Sequence, residues 1–250
     1  MTPEKFQIYR GNYSVQLILG YMRRAIEQYH MIENGDRVAV GVSGGKDSVT
    51  LLAGLVALRS FIGIDYQVVA ITLDPGFDGI STDYTPIREL CARLGVEYVE
   101  KQTNIGHVVF DVRHEANPCS LCAKMRRGAL HDTAKEHGCN KLALGHHYND
   151  AVETFMMNLF HEGRIGCFSP VTYLARKDIT VIRPLCLAPE KDIVGAVRKE
   201  GLPVVKSRCP VDKKTARQQM KEYLKELEKG DKGITRRLFG AMVRGHVDGW

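Results

Sequence analysis

The stretch R-V-A-V-G-V-S-G-G-K-D-S-V-T-L-L, Arg37 to Leu52, decides the fold. Its first part alternates apolar with small residues as a buried strand does, and Ser48 to Leu55 reads as the start of a helix. Ser43-Gly44-Gly45-Lys46-Asp47-Ser48 is therefore a strand-to-helix turn. Adjacent glycines let the backbone approach an anion, the first amides of the helix point at it, and the helix dipole favours negative charge there. Lys46 adds a mobile cation, so the turn is a phosphate site. The spacing is not the Walker pattern, since the glycines are adjacent and an aspartate separates the lysine from the serine. The plain alternative is an ordinary glycine-rich turn.

Working outward, strand and helix patterns alternate. Tyr13 to Met31 carries a helical apolar stripe, with Arg23 and Arg24 outside it. Tyr66 to Asp74 reads as a second strand, Thr85 to Leu94 as a helix, Glu97 to Lys101 as a third strand and Lys124 to His137 as a helix. Lys141 to His146 is a fourth strand followed by a helix from Asp150 to His161. Val181 to Leu185 is a fifth strand followed by a helix from Glu190 to Lys199. This alternation specifies an α/β fold, a doubly wound parallel sheet of about five strands with helices on both faces. Ligands of such sheets bind at strand ends. An N-terminal helical segment (1–35), a central domain (36–208) and a small C-terminal helical extension (209–250) are expected. Asp212 to Lys232 is rich in Lys, Glu and Gln and reads as a solvated face, followed by a short basic helix, Ile234 to Val243.

With 250 residues, 44% of them hydrophobic and 26% charged, the chain is long enough to bury a full core. No apolar run approaches the roughly 20 residues of a bilayer span, and Met1 to Phe6 opens no signal peptide, so a cytoplasmic protein with no membrane partner is expected. The net charge of +6 suits a polyanionic partner and equally a plain basic enzyme.

Seven cysteines without a secretion signal point to thiols, metal ligands or catalytic groups rather than disulfides. Cys119-Ser-Leu-Cys122 lies before a basic helix, and the helix dipole with Lys124, Arg126 and Arg127 is expected to lower the thiol pKa values. No second C-x-x-C follows to close a zinc site. Cys209 offers a third thiolate, and three cysteines on a 4Fe-4S cluster leave one iron open. A redox dithiol without Cys209, or zinc completed by His114 or His131, are the competing readings. Cys91, Cys139, Cys167 and Cys186 are expected in the core.

S-G-G-x-D-S after a strand resembles the PP-loop of the ATP pyrophosphatase superfamily, with its HUP-like fold. Taken with Asn117 to Gly128 (N-P-C-S-L-C-A-K-M-R-R-G), Leu142 to Asp150 (L-A-L-G-H-H-Y-N-D) and Val181 to Leu185 (V-I-R-P-L), the chain from Met31 to Cys209 resembles the tRNA 2-thiolation enzymes of the TtcA type. The resemblance implies a tRNA sulfurtransferase that adenylates a pyrimidine C2 oxygen, cytidine of the anticodon loop, releases pyrophosphate and inserts sulfur. It implies ATP held by Ser43, Gly44, Gly45, Lys46, Asp47 and Ser48, with adenine near Thr72, Leu73 and Asp74, and with Gly145, His146 and Asp150 closing the site. It implies a 4Fe-4S cluster on Cys119, Cys122 and Cys209, Mg2+ on the phosphates, and catalytic roles for Lys46, Asp47 and the three cysteines. Partners are tRNA and a sulfur donor such as a cysteine desulfurase or free sulfide; a homodimer is an open expectation. Lys124, Arg126, Arg127, Arg164, Arg236 and Arg237 are candidate RNA phosphate contacts. A 2-thiouridine-forming enzyme, an amide- or amidine-forming enzyme acting on a small metabolite, and a non-enzymatic nucleotide sensor are the rivals.

Overall fold

The computed structural model describes residues 13–113, 118–211 and 215–250. Its centre is a six-stranded sheet in the order β3-β2-β1-β4-β6-β5, with β1 Arg37–Gly41, β2 Gln67–Asp74, β3 Glu97–Gln102, β4 Lys141–Ala143, β5 Val171–Leu174 and β6 Ile179–Ile182. The pairs β1·β2, β1·β4, β2·β3 and β4·β6 are parallel, and β5 returns antiparallel on β6. The helices are α1 Tyr13–Gln28, α2 Lys46–Leu58, α3 Thr85–Leu94, α4 Pro118–Glu136, α5 Tyr148–His161, α6 Glu190–Glu200, α7 Ala216–Gly230 and α8 Ile234–Arg244.

Alternation along β1 builds a core on each face. Val38 and Val40 face a cluster with Met22, Leu51, Leu55, Ile87 and Ile193, and Ala39 faces a second one with Ile71, Ala134 and Leu142. Both faces are covered, which is why the central β1 and β2 read as nearly continuous apolar runs. Leu51, Leu52 and Leu55 are wholly buried and contribute about 1.5–3 kcal/mol each through burial. The expected doubly wound sheet is the sheet observed, with one addition. The β5–β6 hairpin was not expected, because β5 is four residues long and half-exposed and so carries too short a pattern. Strand limits also move. β4 ends at Ala143 rather than His146, and β6 spans Ile179–Ile182 rather than Val181 to Leu185, so Gly145, His146 and Arg183 stand in loops at the carboxyl edge.

Beyond Cys209, α7 and α8 pack on α5. Trp250 is buried against Tyr29, Phe168 and Phe239, and its Nε1 donates to the Phe168 carbonyl at 2.6 Å. Among the described residues no helix is long and apolar enough to cross a membrane.

Candidate active site

The turn between β1 and α2 has the backbone an anion site needs. Gly44 takes φ +82°, and Gly45 caps α2 without a side-chain hydrogen bond, so no side chain occupies the first-turn amides. Ser48 Oγ donates to the Gly45 carbonyl at 2.9 Å and stands 3.2 Å from Ser43 Oγ, which stiffens the loop. A Cβ on Gly44 would lie 2.8 Å from Val205 Cβ, and the Val205 amide donates to the Gly44 carbonyl at 2.9 Å. The extended strap after α6 is thus tied to the loop four residues before Cys209.

Lys46 is held between carboxylates. Its Nζ donates to Asp47 at 2.9 and 2.8 Å and pairs with Glu190 Oε1 at 3.0 Å. Burial opposes its charge, and Asp47 and Glu190 outweigh burial, holding its pKa above the ordinary lysine value. Glu190, the first residue of α6, also accepts from Lys221 of α7 at 2.6 Å. Burial works against ionisation of Glu190, yet the two lysines prevail and take its pKa down to about 2.

A cleft of about 610 Å³ opens at the carboxyl edge above this turn. Gly41 to Ser43 with Gly45, Asp47 and Ser48 line its floor, Ile71 and Leu73 one end, Ala123, Arg126, Arg127 and Leu130 of α4 one wall, and Gly145, His146, Phe168, Arg183, Thr154 and Arg217 the other. Of the expected adenine neighbours, Leu73 faces the cleft. Thr72 is turned away, donating to the Val42 carbonyl at 2.8 Å. Asp74 organises the following loop by accepting from the amides of Gly76 (3.1 Å) and Thr82 (2.9 Å). Asp150 closes a capping box with His147, its carboxylate accepting from the His147 amide at 2.9 Å, and pairs with Arg217 at 3.4 Å. His147 Nε2 in turn stands 3.7 Å from Asp47, so Asp150 acts on the loop through an intermediary.

Cys119 and Cys122 are one turn apart in the first turns of α4, inside the helix rather than before it. Cys122 joins an apolar cluster with Phe77, Ile105 and Val109, and Cys209 packs against the same cluster. None of the three is in a disulfide. The expected lowering of the thiol pKa values is corrected at Cys122. Burial pushes this thiol up, Arg126 offsets part of the rise, and Cys209 and Cys119 add to it. Cys122 and Cys209 share one apolar patch and Cys119 stands one helical turn before Cys122, so three free thiols from two segments offer the soft donors that suit an iron–sulfur group. Among the described residues no three His, Cys, Asp or Glu side chains close on a common metal position, so the sulfurs are neighbours and not a closed set. His114 lies outside the described residues, and His131 lies two and a half turns further along α4 than Cys122. Cys91, Cys139 and Cys186 are buried as expected; Cys167 is half-buried, with Sγ 3.4 Å from the Ala151 carbonyl.

Among the candidate RNA contacts, Arg164 and Arg237 are paired with Glu162 and Asp231, whereas Arg126 and Arg127 reach the cleft. Sequence reasoning missed Glu190, Arg217 and Lys221, and it read α7 as a solvated face. In fact Arg217 lines the cleft, donating to Thr154 Oγ1 at 3.0 Å, and Lys221 reaches Lys46 through Glu190. It also missed Phe168, for which no local signal exists, and Arg183, although V-I-R-P-L contains it.

Residues 20–227 match a family model described as a PP-loop domain. The chain is 41% identical to a tRNA-cytidine(32) 2-sulfurtransferase of Geobacter metallireducens, over 88% of this chain and 86% of the relative. It is 42% identical to a protein of the same name from Pelobacter propionicus, over 89% and 83%. Among solved structures it is similar to the U34-tRNA thiolase NcsA from Methanococcus maripaludis with its 4Fe-4S cluster. That likeness has a TM-score of 0.73 and 25% identity, covering 96% of this chain and 82% of that one.

Proposed function

The chain belongs to the PP-loop family, and on that premise we propose that it is an ATP-dependent tRNA sulfurtransferase that replaces the C2 oxygen of a cytidine by sulfur. The observation that carries this reading is the strap hydrogen-bonded through Val205 to Gly44, which carries Cys209 to the apolar cluster of Cys122, the residue before Ala123 in the cleft wall. The same turn then anchors both the nucleotide site and the segment that carries the third thiol.

The amide-like oxygen at C2 is a poor leaving group. Attack by that oxygen on the α-phosphorus of ATP releases pyrophosphate and leaves the oxygen bonded to AMP; sulfur then adds at C2, and AMP departs with the oxygen. The first-turn amides of α2, Ser43 and Ser48 bind the phosphates, and Lys46 stabilises the charge developing on pyrophosphate. Asp47 and Glu190 aim Lys46, and Gly145, packed against the Asp47–Ser48 backbone, closes the nucleotide site from the end of β4. Leu73 and Ile71 offer adenine an apolar seat. Mg2+ on the phosphates is part of the working enzyme. Cys119, Cys122 and Cys209 would hold the 4Fe-4S cluster, which when bound supplies the sulfur. Arg126 and Arg127 take RNA phosphates as a flipped base enters, least costly from a single-stranded loop. Sulfide, free or from a cysteine desulfurase, is the proposed donor, and the cytoplasm the proposed location.

The test is anaerobic incubation of the iron-loaded protein with unmodified tRNA, ATP, Mg2+ and sulfide, followed by nucleoside mass spectrometry. 2-Thiocytidine with release of pyrophosphate is expected. An iron-free, colourless preparation that forms amides on a small metabolite would overturn the reading. Cys119→Ala should lose iron and thiolation while ATP binding persists; full iron content in that variant removes Cys119 from the ligand set.

A further inference from the structure

Among the described residues, three buried side-chain polar atoms lack a hydrogen-bond partner: Tyr29 Oη, His146 Nδ1 and Arg183 Nε. The last two lie in the same wall of the cleft. They flank one aromatic ring: the His146 ring is 5.0 Å from that of Phe168, and the Arg183 guanidinium stands 5.0 Å over it. Buried polar groups are satisfied in most folds, so two orphans around one ring in a ligand cleft point to a partner that is not protein.

The donors are fixed in character and place. Arg183 follows β6, and its Nη1 donates to the Ser169 carbonyl at 2.6 Å and to Thr172 Oγ1 at 3.4 Å, so the β5–β6 hairpin immobilises it with Nε–H left over. A guanidinium donates and never accepts. His146 is neutral at physiological pH, because burial and the neighbouring Arg183 push its pKa down to about 4. A neutral imidazole carries one N–H, and on the buried, unpartnered Nδ1 that proton is unspent.

Sheet order separates this recess from the adenine end. Ile71 and Leu73 are on β2, and β1 and β4 intervene before β6. Three strand spacings amount to roughly 14 Å, more than one base can span. The phosphate-binding turn, at the end of β1, lies between the two.

We propose that the recess of His146, Phe168 and Arg183 is the subsite of the target base and selects cytosine, Arg183 Nε–H donating to N3 and His146 Nδ1–H to O2. Cytosine offers two adjacent acceptors there, whereas uracil sets N3–H against the Arg183 donor. The sheet order puts His146 on the side of the phosphate turn, so the oxygen it holds is the one that faces the α-phosphate. This inference rests on the thiolation reading and adds its specificity.

The experiment compares cluster-loaded wild type, Arg183→Gln, His146→Leu and His146→Asn on tRNA transcripts carrying either C or U at the modified position. It records kcat/KM for each, KM for ATP and the thermal midpoint. A glutamine amide can turn either its donor or its acceptor to the base, so Arg183→Gln should shrink the C-over-U preference about 10–100-fold, the weight of a good base-edge contact. His146→Leu should lose about 10–100-fold in kcat/KM on the C transcript, with His146→Asn, which keeps an N–H, recovering part of it. KM for ATP should stay within about threefold throughout. A folded Arg183→Gln protein with unchanged preference, or a rise in KM for ATP that marks the recess as the adenine seat, would overturn the proposal. Should Arg183→Gln fail to fold, equal activity of His146→Leu and His146→Asn does the same. A wild type that thiolates neither transcript overturns the thiolation reading itself, and this one with it.

Discussion

A methyl group on Gly145 would stand 3.1 Å from the Asp47 carbonyl carbon and 3.2 Å from the Ser48 amide nitrogen. Both neighbours are backbone at the start of α2 and cannot swing aside as a side chain can. Gly145→Ala should therefore displace the first-turn amides of α2, the proposed phosphate site. It is expected to raise KM for ATP at least about tenfold, while overpacking of roughly 1–2 kcal/mol lowers the thermal midpoint by only a few degrees. ATP–pyrophosphate exchange and a melting curve measure the two separately. The Gly145-His146 pair was legible in the sequence as a strand-end motif, but its reason was not. Close approach of two backbones distant in sequence leaves no local periodicity. The same holds for Cys122, where the sequence shows cations and a helix start while burial in the Phe77–Val109 cluster sets the direction of the pKa shift.

At the scale of elements, α7 is the correction with the most consequence. Its Lys, Glu and Gln content resembles that of a solvated helix, and most of its surface is one, yet Lys221 is the second hydrogen-bond partner of Glu190. Removing Lys221 leaves the Glu190 carboxylate to Lys46 alone, so drawing Lys46 onto phosphate costs more. Lys221→Met is expected to raise KM for ATP about 3–10-fold, a partial loss of one charged hydrogen bond. An unchanged KM in pyrophosphate exchange would return α7 to a purely packing role. The β5–β6 hairpin is the other element the sequence hid, and it positions Arg183.

At the scale of the whole molecule, Glu153 joins α5 to the cleft wall and to α7. It is 4% exposed, and its carboxylate stands 3.6 Å from Arg217 Nη1. Burial and then Asp150 raise its pKa to about 7, with Arg217 and Lys221 opposing. Below about pH 4.5 the carboxyl is protonated in both folded and unfolded chains. As pH rises toward 7 the unfolded chain releases the proton first, so stability falls across that window. Glu153→Gln should abolish this fall and leave the variant more stable than wild type at pH 8. Urea midpoints from pH 4.5 to 8 check it, and parallel curves for the two proteins would show that the group titrates normally.

The strand, the S-G-G-K-D-S turn and the helix after it, the doubly wound alternation and the C-x-x-C were determined by the sequence itself. Each rests on hydrogen bonding, backbone freedom or apolar periodicity confined to a few consecutive residues. Only the tertiary structure decided that Val205 anchors the strap carrying Cys209 to Gly44, that Glu190 and Lys221 hold the turn's lysine, and that His146 and Arg183 meet across Phe168. Those contacts join segments far apart along the chain, and they form because the two apolar faces of the sheet are buried together, an outcome no single stretch encodes.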